Sequence, residues 1–218
     1  MESTIAPASR PAARGRIDKR ESILAAAFTV FANRGFARAC MEEIAEVAGV
    51  AKHTVYNHLG DKESLFREAL AAVAGDMMAG NLAVVETSLG IGAAADPESA
   101  LHDAARQLLH RCCDQRSWAL RRLLYAEINQ FPDLIEVVWG HGASRLREAL
   151  ADRLARLSLA GHLDTPDPSE AAEQFLALLT GPMEARSHLG TKAVDEHELE
   201  RVARTAVRTF LMAYGKRD

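Results

Sequence analysis

Apolar side chains recur every three to four residues along most of the chain, and this spacing constrains its fold more than any other feature. An early example is the set Leu24, Ala27, Phe28 and Phe31, which occupies one face of a helix. No segment shows the strict alternation of apolar and polar residues that predicts a strand. The sequence therefore predicts an all-α fold, with about nine helices counted from the periodic segments.

Residues that favour helix ends mark several boundaries. Asp61 precedes a periodic stretch that reaches Met77, and Asp96 stands before a proline at the first helical position. Asp167 and Asp195 each have a glutamate three residues later, which is the spacing of a capping box. We expect these four aspartates to begin helices, and the two capping boxes to open the last two helices of the chain.

The composition is that of a globular protein. The 218 residues are 48% hydrophobic and 26% charged, with a formal net charge of −4. No run of about 18 apolar residues predicts a membrane span, and residues 1–20 lack the apolar stretch of a secretory signal. The cysteines Cys40, Cys112 and Cys113 are odd in number and do not resemble a disulfide framework. We expect a cytoplasmic protein that does not bind a membrane.

Positive charge is concentrated near the N-terminus. Residues 9–20 carry five basic side chains and one acidic side chain, a local net charge of +4. A basic arm of this kind can bind phosphate while the rest of the protein stays acidic. Basic tails are also common as solvated, disordered segments, and that alternative stays open. We predict a flexible basic arm over residues 1–17.

Residues 41–59 have the pattern of two short helices joined by a tight turn. Gly49 can adopt the left-handed backbone conformation that such a turn needs, and Ala45 is small enough for the two helices to cross closely. Three apolar residues are placed to anchor the corner: Ile44, Val50 and Val55. The pattern predicts a helix-turn-helix.

The second of these helices presents polar groups outward: Lys52, His53, Thr54, Tyr56, Asn57 and His58. Such groups suit the major groove of DNA, where base edges carry a readable hydrogen-bonding pattern. Lys62 starts the next helix, where the backbone N–H groups and the helix dipole favour a phosphate. A polar surface helix in a bundle is the alternative, but the turn chemistry favours DNA binding.

A dense set of segments carries a resemblance to a known family: 23–28, 31–36, 44–45, 48–50, 54–56, 58 and 62–66. They resemble the TetR family of transcription regulators. The resemblance implies an N-terminal three-helix helix-turn-helix domain, here residues 18–63, and a larger helical ligand-binding and dimerisation domain, here residues 64–218. It also implies a homodimeric repressor that binds a palindromic double-stranded DNA operator and is released by a small-molecule effector.

The family roles carry over to the matching positions. The resemblance implies that Tyr56 contacts a phosphate, that Thr54 and His58 face the DNA backbone beside it, and that Lys62 binds a phosphate. Three residues occupy positions that vary with the operator and are predicted to read bases: Lys52, His53 and Asn57.

The sequence departs from the family pattern at the starts of two helices. Many members have Ser or Thr where this chain has Ala39 and Cys40, and that hydroxyl often caps helix two and contacts a phosphate. Ala51 stands where a serine commonly opens helix three. Leu59 replaces a common phenylalanine, which changes packing only.

Residues 121–181 resemble the C-terminal domain of AcrR-like members, which implies an effector without naming it. Aromatic residues make up 6% of the chain, yet several lie between residues 118 and 139, and aromatic clusters line apolar ligand sites. The predicted pocket residues are Leu108, Trp118, Tyr125, Phe131, Trp139 and Phe175. An aromatic residue at helical spacing is more often a core residue, and this alternative stays open for each of them.

The last two helices are predicted to form a four-helix bundle with their symmetry mates. The apolar stripes proposed for this interface are Leu178, Leu179 and Met183 on one helix, and Leu199, Val202, Ala206 and Phe210 on the other. The alternative is that both stripes face their own domain.

Other functions have weaker support. The sequence contains no Gly-rich phosphate loop, G-x-S-x-G or H-E-x-x-H motif, so we expect no enzyme, catalytic residue or cofactor. The pair Cys112-Cys113, with His102 and His110 nearby in sequence, matches no closed zinc site, so no metal is predicted. Oxidation sensing by the pair or by Cys40, and a regulator that is insensitive to ligands, stay as alternatives.

Overall fold

A computed structural model describes the backbone of residues 11–90 and 95–216, and their side chains apart from 11–18 and 141. Within these residues the chain forms ten helices: α1 (Pro11–Arg38), α2 (Met41–Ala48), α3 (Lys52–Leu59), α4 (Lys62–Ser88), α5 (Pro97–Cys112), α6 (Gln115–Glu127), α7 (Leu134–Leu159), α8 (Pro168–Thr180), α9 (Met183–Arg186) and α10 (Glu196–Tyr214). An isolated bridge joins Leu163 and Gly215, and no strand forms in the described part. The predicted all-α fold is confirmed.

The described part of the chain has one helix more than the nine predicted. This extra helix is α9, a single turn that sequence periodicity does not reveal. α8 ends at Thr180, and Met183 begins α9 after Gly181 and Pro182. Proline has no N–H to continue the helical hydrogen bonds. The prediction that Met183 shares a helix with Leu179 is therefore corrected.

The N-terminal segment also differs from its prediction. α1 begins at Pro11, so the backbone of residues 11–17, within the predicted flexible arm, is helical. Proline is favoured at the first position of a helix, and the alanines and arginines that follow are strong helix formers. Residues 1–10 lie outside the described residues.

All four predicted aspartate caps are confirmed. Asp61, Asp96, Asp167 and Asp195 each accept a hydrogen bond from a backbone N–H two or three residues later, at 2.7–3.1 Å. These N–H groups have no partner within their own helix, so the carboxylates stabilise the helix starts. Asp114 caps α6 in the same way.

The chain divides into two compact units, Met1–Val73 and Ala74–Asp218. This division lies ten residues beyond the boundary predicted from the sequence, between residues 63 and 64. α4 runs from Lys62 to Ser88 and buries Leu65, Phe66 and Leu70 completely near its start. The first turns of α4 thus belong to the core of the N-terminal unit.

Three phenylalanine rings pack together in the N-terminal unit. The ring centroid of Phe66 on α4 lies 4.8 Å from that of Phe31 and 5.0 Å from that of Phe36, both on α1. Gly35 kinks α1 between the two, with a φ of 74° that glycine adopts at little cost. This cluster joins α1 to α4, and α2 packs against α1, so the three helices hold α3 in place.

In the C-terminal unit, α8 packs against both α7 and α10, and α5 packs against α10. Phe175 on α8 and Phe210 on α10 lie in its core, with ring centroids 5.1 Å apart and no more than 1% of either residue exposed. The apolar faces of these helices are therefore used within the unit.

α4 is long and apolar enough to cross a membrane by length and composition alone, which the sequence analysis did not expect. Its early apolar side chains, including Phe66, Leu70 and Val73, are no more than 1% exposed within the protein. A core helix of a soluble protein passes the same test, so the finding is weak evidence for a membrane span.

Candidate DNA-binding surface

Backbone hydrogen bonds close the turn between α2 and α3. Gly49 has φ 66° and ψ 31°. Its N–H donates to the carbonyl of Glu46 at 3.1 Å, and the N–H of Val50 donates to the carbonyl of Ala45 at 3.0 Å. These two bonds form a Schellman motif, in which a left-handed residue is required at the position of Gly49. The structure confirms the predicted turn.

Apolar anchors fix α3 against the rest of the N-terminal unit. Ile44 on α2 and Val55 on α3 are completely buried, and Leu59 is 4% exposed. Ala45 is buried where α2 and α3 come together. With one face held in this way, the opposite face of α3 is left to solvent.

The outward face of α3 carries the predicted polar set. Lys52, His53, Tyr56 and Asn57 are exposed, and Thr54 and His58 are half-buried. Tyr56 is 45% exposed, which leaves its hydroxyl and ring available to a partner. The structure therefore places all six predicted residues of α3 on or near the surface.

Lys52 is not free on this surface, which the sequence did not indicate. Its ammonium forms an ion pair with the carboxylate of Glu42 on α2 and lies 5.7 Å from the ring centroid of Tyr56. The hydrogen bond between Lys52 and Glu42 raises the pKa of Lys52 and lowers the pKa of Glu42. Both side chains are more than half exposed, so water and salt screen the pair.

Lys62 lies at the first turn of α4. Its ammonium donates a hydrogen bond to the carbonyl of Ala37 at 3.1 Å and lies 4.7 Å from the ring centroid of Phe36. Asp61 already uses one N–H group of this helix start, that of Ser64, and this hydrogen bond lowers the pKa of its carboxyl. Binding of an anion at the start of α4 therefore depends on the charge of Lys62 and on the remaining backbone N–H groups.

The start of α2 lacks the capping hydroxyl of the family pattern. Cys40 is the capping residue, and its side chain accepts no hydrogen bond from the backbone N–H groups of the helix, while Ala39 is buried. α3 likewise begins at Ala51 without a side-chain cap. The departures seen in the sequence thus leave backbone N–H groups at two helix starts without a side-chain acceptor.

The basic segment near the N-terminus is only partly described. Lys19 is exposed, whereas Arg20 forms an ion pair with Glu68 on α4. The side chains of Arg10, Arg14 and Arg16 lie outside the described residues. The predicted phosphate-binding role of this segment stays a prediction.

The predicted effector residues do not form one pocket. Leu108, Trp118 and Phe175 belong to the hydrophobic core of the C-terminal unit, and Phe131 is 2% exposed. Four grooves of the described residues are lined by other side chains. The alternative of a core role therefore holds for these four residues.

Tyr125 and Trp139 differ from the other four, because they are accessible and close together. They are 40% and 36% exposed, and their ring centroids lie 6.2 Å apart in an edge-to-face arrangement. The hydroxyl of Tyr125 donates to the carboxylate of Glu184 at 2.7 Å. Burial and this hydrogen bond raise the pKa of Tyr125.

The predicted dimer stripes are corrected by the structure. Six of the seven residues are no more than 5% exposed in the single chain: Leu179, Met183, Leu199, Val202, Ala206 and Phe210. They pack within their own unit, as the alternative proposed, because an amphipathic helix uses its most apolar face for the core of its own chain. Leu178 alone is half-buried.

A groove lies between α8 and α10, and two of the predicted interface residues, Leu178 and Phe210, line it. It has a volume of about 500 Å³ and is lined by Gln174, Ala177, Leu178, Gly181, Pro182, Thr209, Phe210, Ala213 and Tyr214. Small residues such as Ala177, Gly181 and Ala213 allow another helix to approach the backbone closely. Periodicity indicated only Leu178 and Phe210 of this lining, because the other lining residues lie off the apolar stripes.

Comparison with known proteins gives matches over both units. Residues 23–69 match the family described as bacterial regulatory proteins, tetR family, and residues 99–216 match the C-terminal domain of AefR-like transcriptional repressors. The second match describes the C-terminal domain as AefR-like, where the sequence resemblance had indicated AcrR-like members. The two matched segments contain the whole of α2, α3, α8 and α10.

Individual relatives agree with this assignment. The HTH-type transcriptional repressor AcnR of Corynebacterium efficiens is 26% identical over 192 residues, which cover 88% of this chain and 94% of AcnR. A solved structure described as a TetR-family transcriptional regulator of Mesorhizobium loti has a TM-score of 0.82 and 32% identity, covering 95% of this chain and all of that one. The flavonoid-responsive regulator FrrA has a TM-score of 0.69 and 30% identity, covering 92% of this chain and 99% of FrrA.

The structure and the comparisons lead to the same conclusion. A glycine-closed helix-turn-helix presents a polar helix face, and a separate helical unit follows it. The family model of AefR-like repressors spans more than half of the chain, and the relatives match nearly its full length. The chain belongs to the TetR family of DNA-binding transcriptional regulators.

Proposed function

We propose that this protein is a cytoplasmic repressor that binds an inverted-repeat operator as a homodimer and is released by a small molecule bound in its C-terminal unit. The observation that carries the proposal is the outward face of α3, where polar groups and the exposed ring of Tyr56 stand on a helix held by buried anchors. AcnR is named as a repressor, which supports repression as the outcome of binding here.

We assign different roles to two groups of residues in this surface. Lys52, His53 and Asn57 are exposed and are proposed to read base edges in the major groove. Four other residues are proposed to contact the DNA backbone and to position the helix: Thr54, Tyr56, His58 and Lys62. Loss of a base contact changes sequence preference, whereas loss of a phosphate contact weakens all sequences alike.

The groove between α8 and α10 is proposed as the dimer interface, with the same helices of a second copy as its occupant. Its walls are mostly apolar, and Met212 on α10 is 71% exposed. In a dimer with two-fold symmetry, the same face of each protomer forms the interface. A dimer has two copies of α3, one for each half of an inverted repeat, and half-sites on one DNA face lie about 34–36 Å apart.

Tyr125 and Trp139 are proposed to contribute to the effector site. Two accessible rings beside the Glu184 carboxylate suit a planar, mostly apolar molecule with a hydroxyl group. FrrA is named as flavonoid-responsive, which makes flavonoids a reasonable first class of probe. An effector releases the protein from DNA only if it binds the free form more tightly than the DNA-bound form.

Selection of bound fragments from random double-stranded DNA tests the function. We expect an inverted repeat to be enriched, and binding to fall steeply as salt rises. Tyr56→Phe and Lys62→Ala should weaken every sequence, whereas Lys52→Ala and Asn57→Ala should change which bases are preferred. No enrichment of any sequence, or equal weakening of all sequences by Lys52→Ala, would contradict the assigned roles.

The dimer is tested separately by sedimentation. Ala177→Arg places a charge in the groove and should give a monomer that has lost operator binding. Leu159→Arg is the matched control, because Leu159 is 89% exposed and is not among the groove residues. A dimer that survives Ala177→Arg unchanged would place the interface elsewhere.

The effector proposal has its own assay. A flavonoid should lower the affinity of the wild-type protein for its selected operator, and Trp139→Ala should reduce that response without changing affinity in the absence of the compound. If apolar, cationic and acyl compounds also leave operator affinity unchanged, the protein is a regulator that does not respond to ligands.

A further inference from the structure

Two adjacent thiols lie at the junction of α5 and α6. Cys112 is the last residue of α5, and Cys113 follows as its C-terminal cap. Cys112 is 8% exposed and Cys113 is half-buried. The DNA-binding surface uses neither residue, and neither lines the groove between α8 and α10.

Arg121 on α6 holds Cys112 by two contacts. One nitrogen of its guanidinium (Nη2) lies 2.8 Å from the sulfur of Cys112, and the other (Nη1) donates to the carbonyl oxygen of Cys112 at 3.2 Å. The guanidinium also lies 4.5 Å from the ring centroid of Trp118, which is 3% exposed. The cation is therefore fixed in position beside the sulfur atom.

This arrangement favours the thiolate form of Cys112. The thiol of Cys113 donates a hydrogen bond to the sulfur, and together with the charge of Arg121 this lowers the pKa of Cys112 to about 6. Burial and the carboxylate of Asp114 act in the opposite direction. The same hydrogen bond, with burial, raises the pKa of Cys113, so that at neutral pH one sulfur is a nucleophile and its neighbour keeps its proton.

Packing alone does not account for these groups. A cysteine buried for packing behaves as a small apolar residue, and burial by itself raises the pKa of a thiol. Here a fixed cation opposes that effect. A thiolate next to a second thiol is the usual arrangement of a redox-sensitive cysteine and the cysteine that resolves it.

We propose that Cys112 and Cys113 form a reversible thiol switch that reacts with hydroperoxides. The Cys112 thiolate attacks the terminal oxygen of the peroxide, so that an S–O bond forms, the O–O bond breaks, and the alkoxide or hydroxide released takes up a proton. The product is a sulfenic acid at Cys112. The Cys113 thiol then attacks that sulfur, an S–S bond replaces the S–O bond, and water leaves.

The disulfide formed in this way would be easily reduced. Adjacent Cα atoms lie about 3.8 Å apart, whereas disulfides usually join Cα atoms about 4.4–6.8 Å apart. A strained disulfide has a higher reduction potential than a structural one and is readily reversed by cellular thiols. The pair is therefore suited to switching and not to permanent crosslinking.

The pH dependence of alkylation tests the thiolate. For an ordinary thiol with a pKa of about 8.5, the thiolate fraction falls about 30-fold between pH 7.5 and pH 6. For a thiol with a pKa of about 6, it falls only about twofold. Iodoacetamide labelling of the full-length protein, followed by peptide mass analysis, should show these two slopes at Cys40 and Cys112. Cys40 is exposed and serves as the internal comparison.

Arg121 variants separate the contact from simple burial. Arg121→Met should slow the labelling of Cys112 at pH 6 by at least about threefold, which corresponds to a rise of about 0.7 in a pKa that starts at about 6, and should have little effect at pH 8.5. Arg121→Lys keeps the charge without the planar fork, so its effect should be smaller. Equal labelling of Cys112 in all three proteins at pH 6 would contradict the role of Arg121.

Peroxide treatment tests the switch itself. The wild-type protein should lose about 2 Da in the peptide that contains both cysteines and regain it with dithiothreitol. Cys113→Ser should instead leave a sulfenic acid at Cys112 that dimedone traps, and Cys40→Ser should behave as the wild type. The proposal is overturned if Cys40 is oxidised before Cys112, or if Cys112 reacts only after denaturation. These measurements do not involve DNA, so their outcome is independent of the proposed function.

Discussion

Glu42→Gln should make the protein bind DNA more tightly. In the free protein the carboxylate of Glu42 neutralises the ammonium of Lys52 on the outward surface of the helix-turn-helix. Lys52 must leave this partner to reach a base edge or a phosphate. Glutamine keeps the size of the side chain and removes its charge, so the substitution releases Lys52 and removes an acid from the surface that faces DNA.

Counterion release gives the size of the effect. One additional cation at the DNA steepens the plot of log affinity against log salt by about 0.9, which amounts to about eightfold in affinity at 0.1 M salt relative to 1 M. This is an upper limit for each protomer, because Lys52 of the wild-type protein can exchange Glu42 for DNA. Fluorescence anisotropy with a labelled operator between about 0.05 and 0.2 M salt would measure both the affinity and the slope.

Two further variants identify the cause. Glu46→Gln removes the same charge from the same helix, and Glu46 is exposed; it should tighten binding less and leave the preferred bases unchanged. In a Lys52→Ala background, Glu42→Gln should lose most of its effect, because the coupling runs through Lys52. The reasoning is refuted if Glu42→Gln and Glu46→Gln tighten binding equally, or if the gain persists without Lys52.

Substitutions at three positions test the packing, the turn and the helix cap described above. Phe66→Ala should destabilise the N-terminal unit by about 3–5 kcal/mol in denaturant unfolding, and a loss below about 1 kcal/mol would mean that the ring is not central to that core. Gly49→Ala should cost about 1–2 kcal/mol through its φ of 66°, since no atom lies within 4 Å of the added Cβ; an unchanged melting temperature would contradict this. Asp195→Ala should cost about 1 kcal/mol by loss of the α10 cap, whereas Asp195→Asn keeps an acceptor and should cost less. Equal losses in the two Asp195 variants would argue against the cap.

Features set by neighbours in sequence were predicted well. The caps at Asp61, Asp96, Asp167 and Asp195 and the turn at Gly49 depend on a few adjacent residues, and the structure has each of them. The same holds for the outward residues of α3, because alternation of buried and exposed positions around one helix is a local property.

Features that depend on a choice between partners were predicted poorly. Periodicity identified the apolar faces of the last two helices, but both the core and a second protomer can cover such a face. The core covers Leu199 and Val202. The groove left outside takes only Leu178 and Phe210 from the predicted stripes, and its small residues, such as Ala177 and Ala213, are not marked by any apolar stripe. For the aromatic residues, the sequence likewise did not distinguish a core position from a ligand-binding one. The core buries Trp118, whereas Trp139 stays accessible.

Contacts between residues distant in sequence were missed altogether. Glu42 and Lys52 meet across the turn, and no local pattern indicates that these two charges compensate each other. Arg121 reaches Cys112 from the next helix, so the sequence showed two adjacent cysteines without showing what activates one of them. Both contacts required the packing of two helices to be known.

The proposed operator binding depends on the entry of α3 into the major groove, and methylation interference on the selected operator measures this entry most directly. Methyl groups on guanine N7 lie in the major groove, whereas those on adenine N3 lie in the minor groove. We predict that N7 methylation blocks binding at two symmetric positions about 34–36 Å apart, and that Lys52→Ala or Asn57→Ala removes the block at one base pair of each half-site. Interference confined to adenine N3, or an N7 pattern unchanged in both variants, would contradict the account.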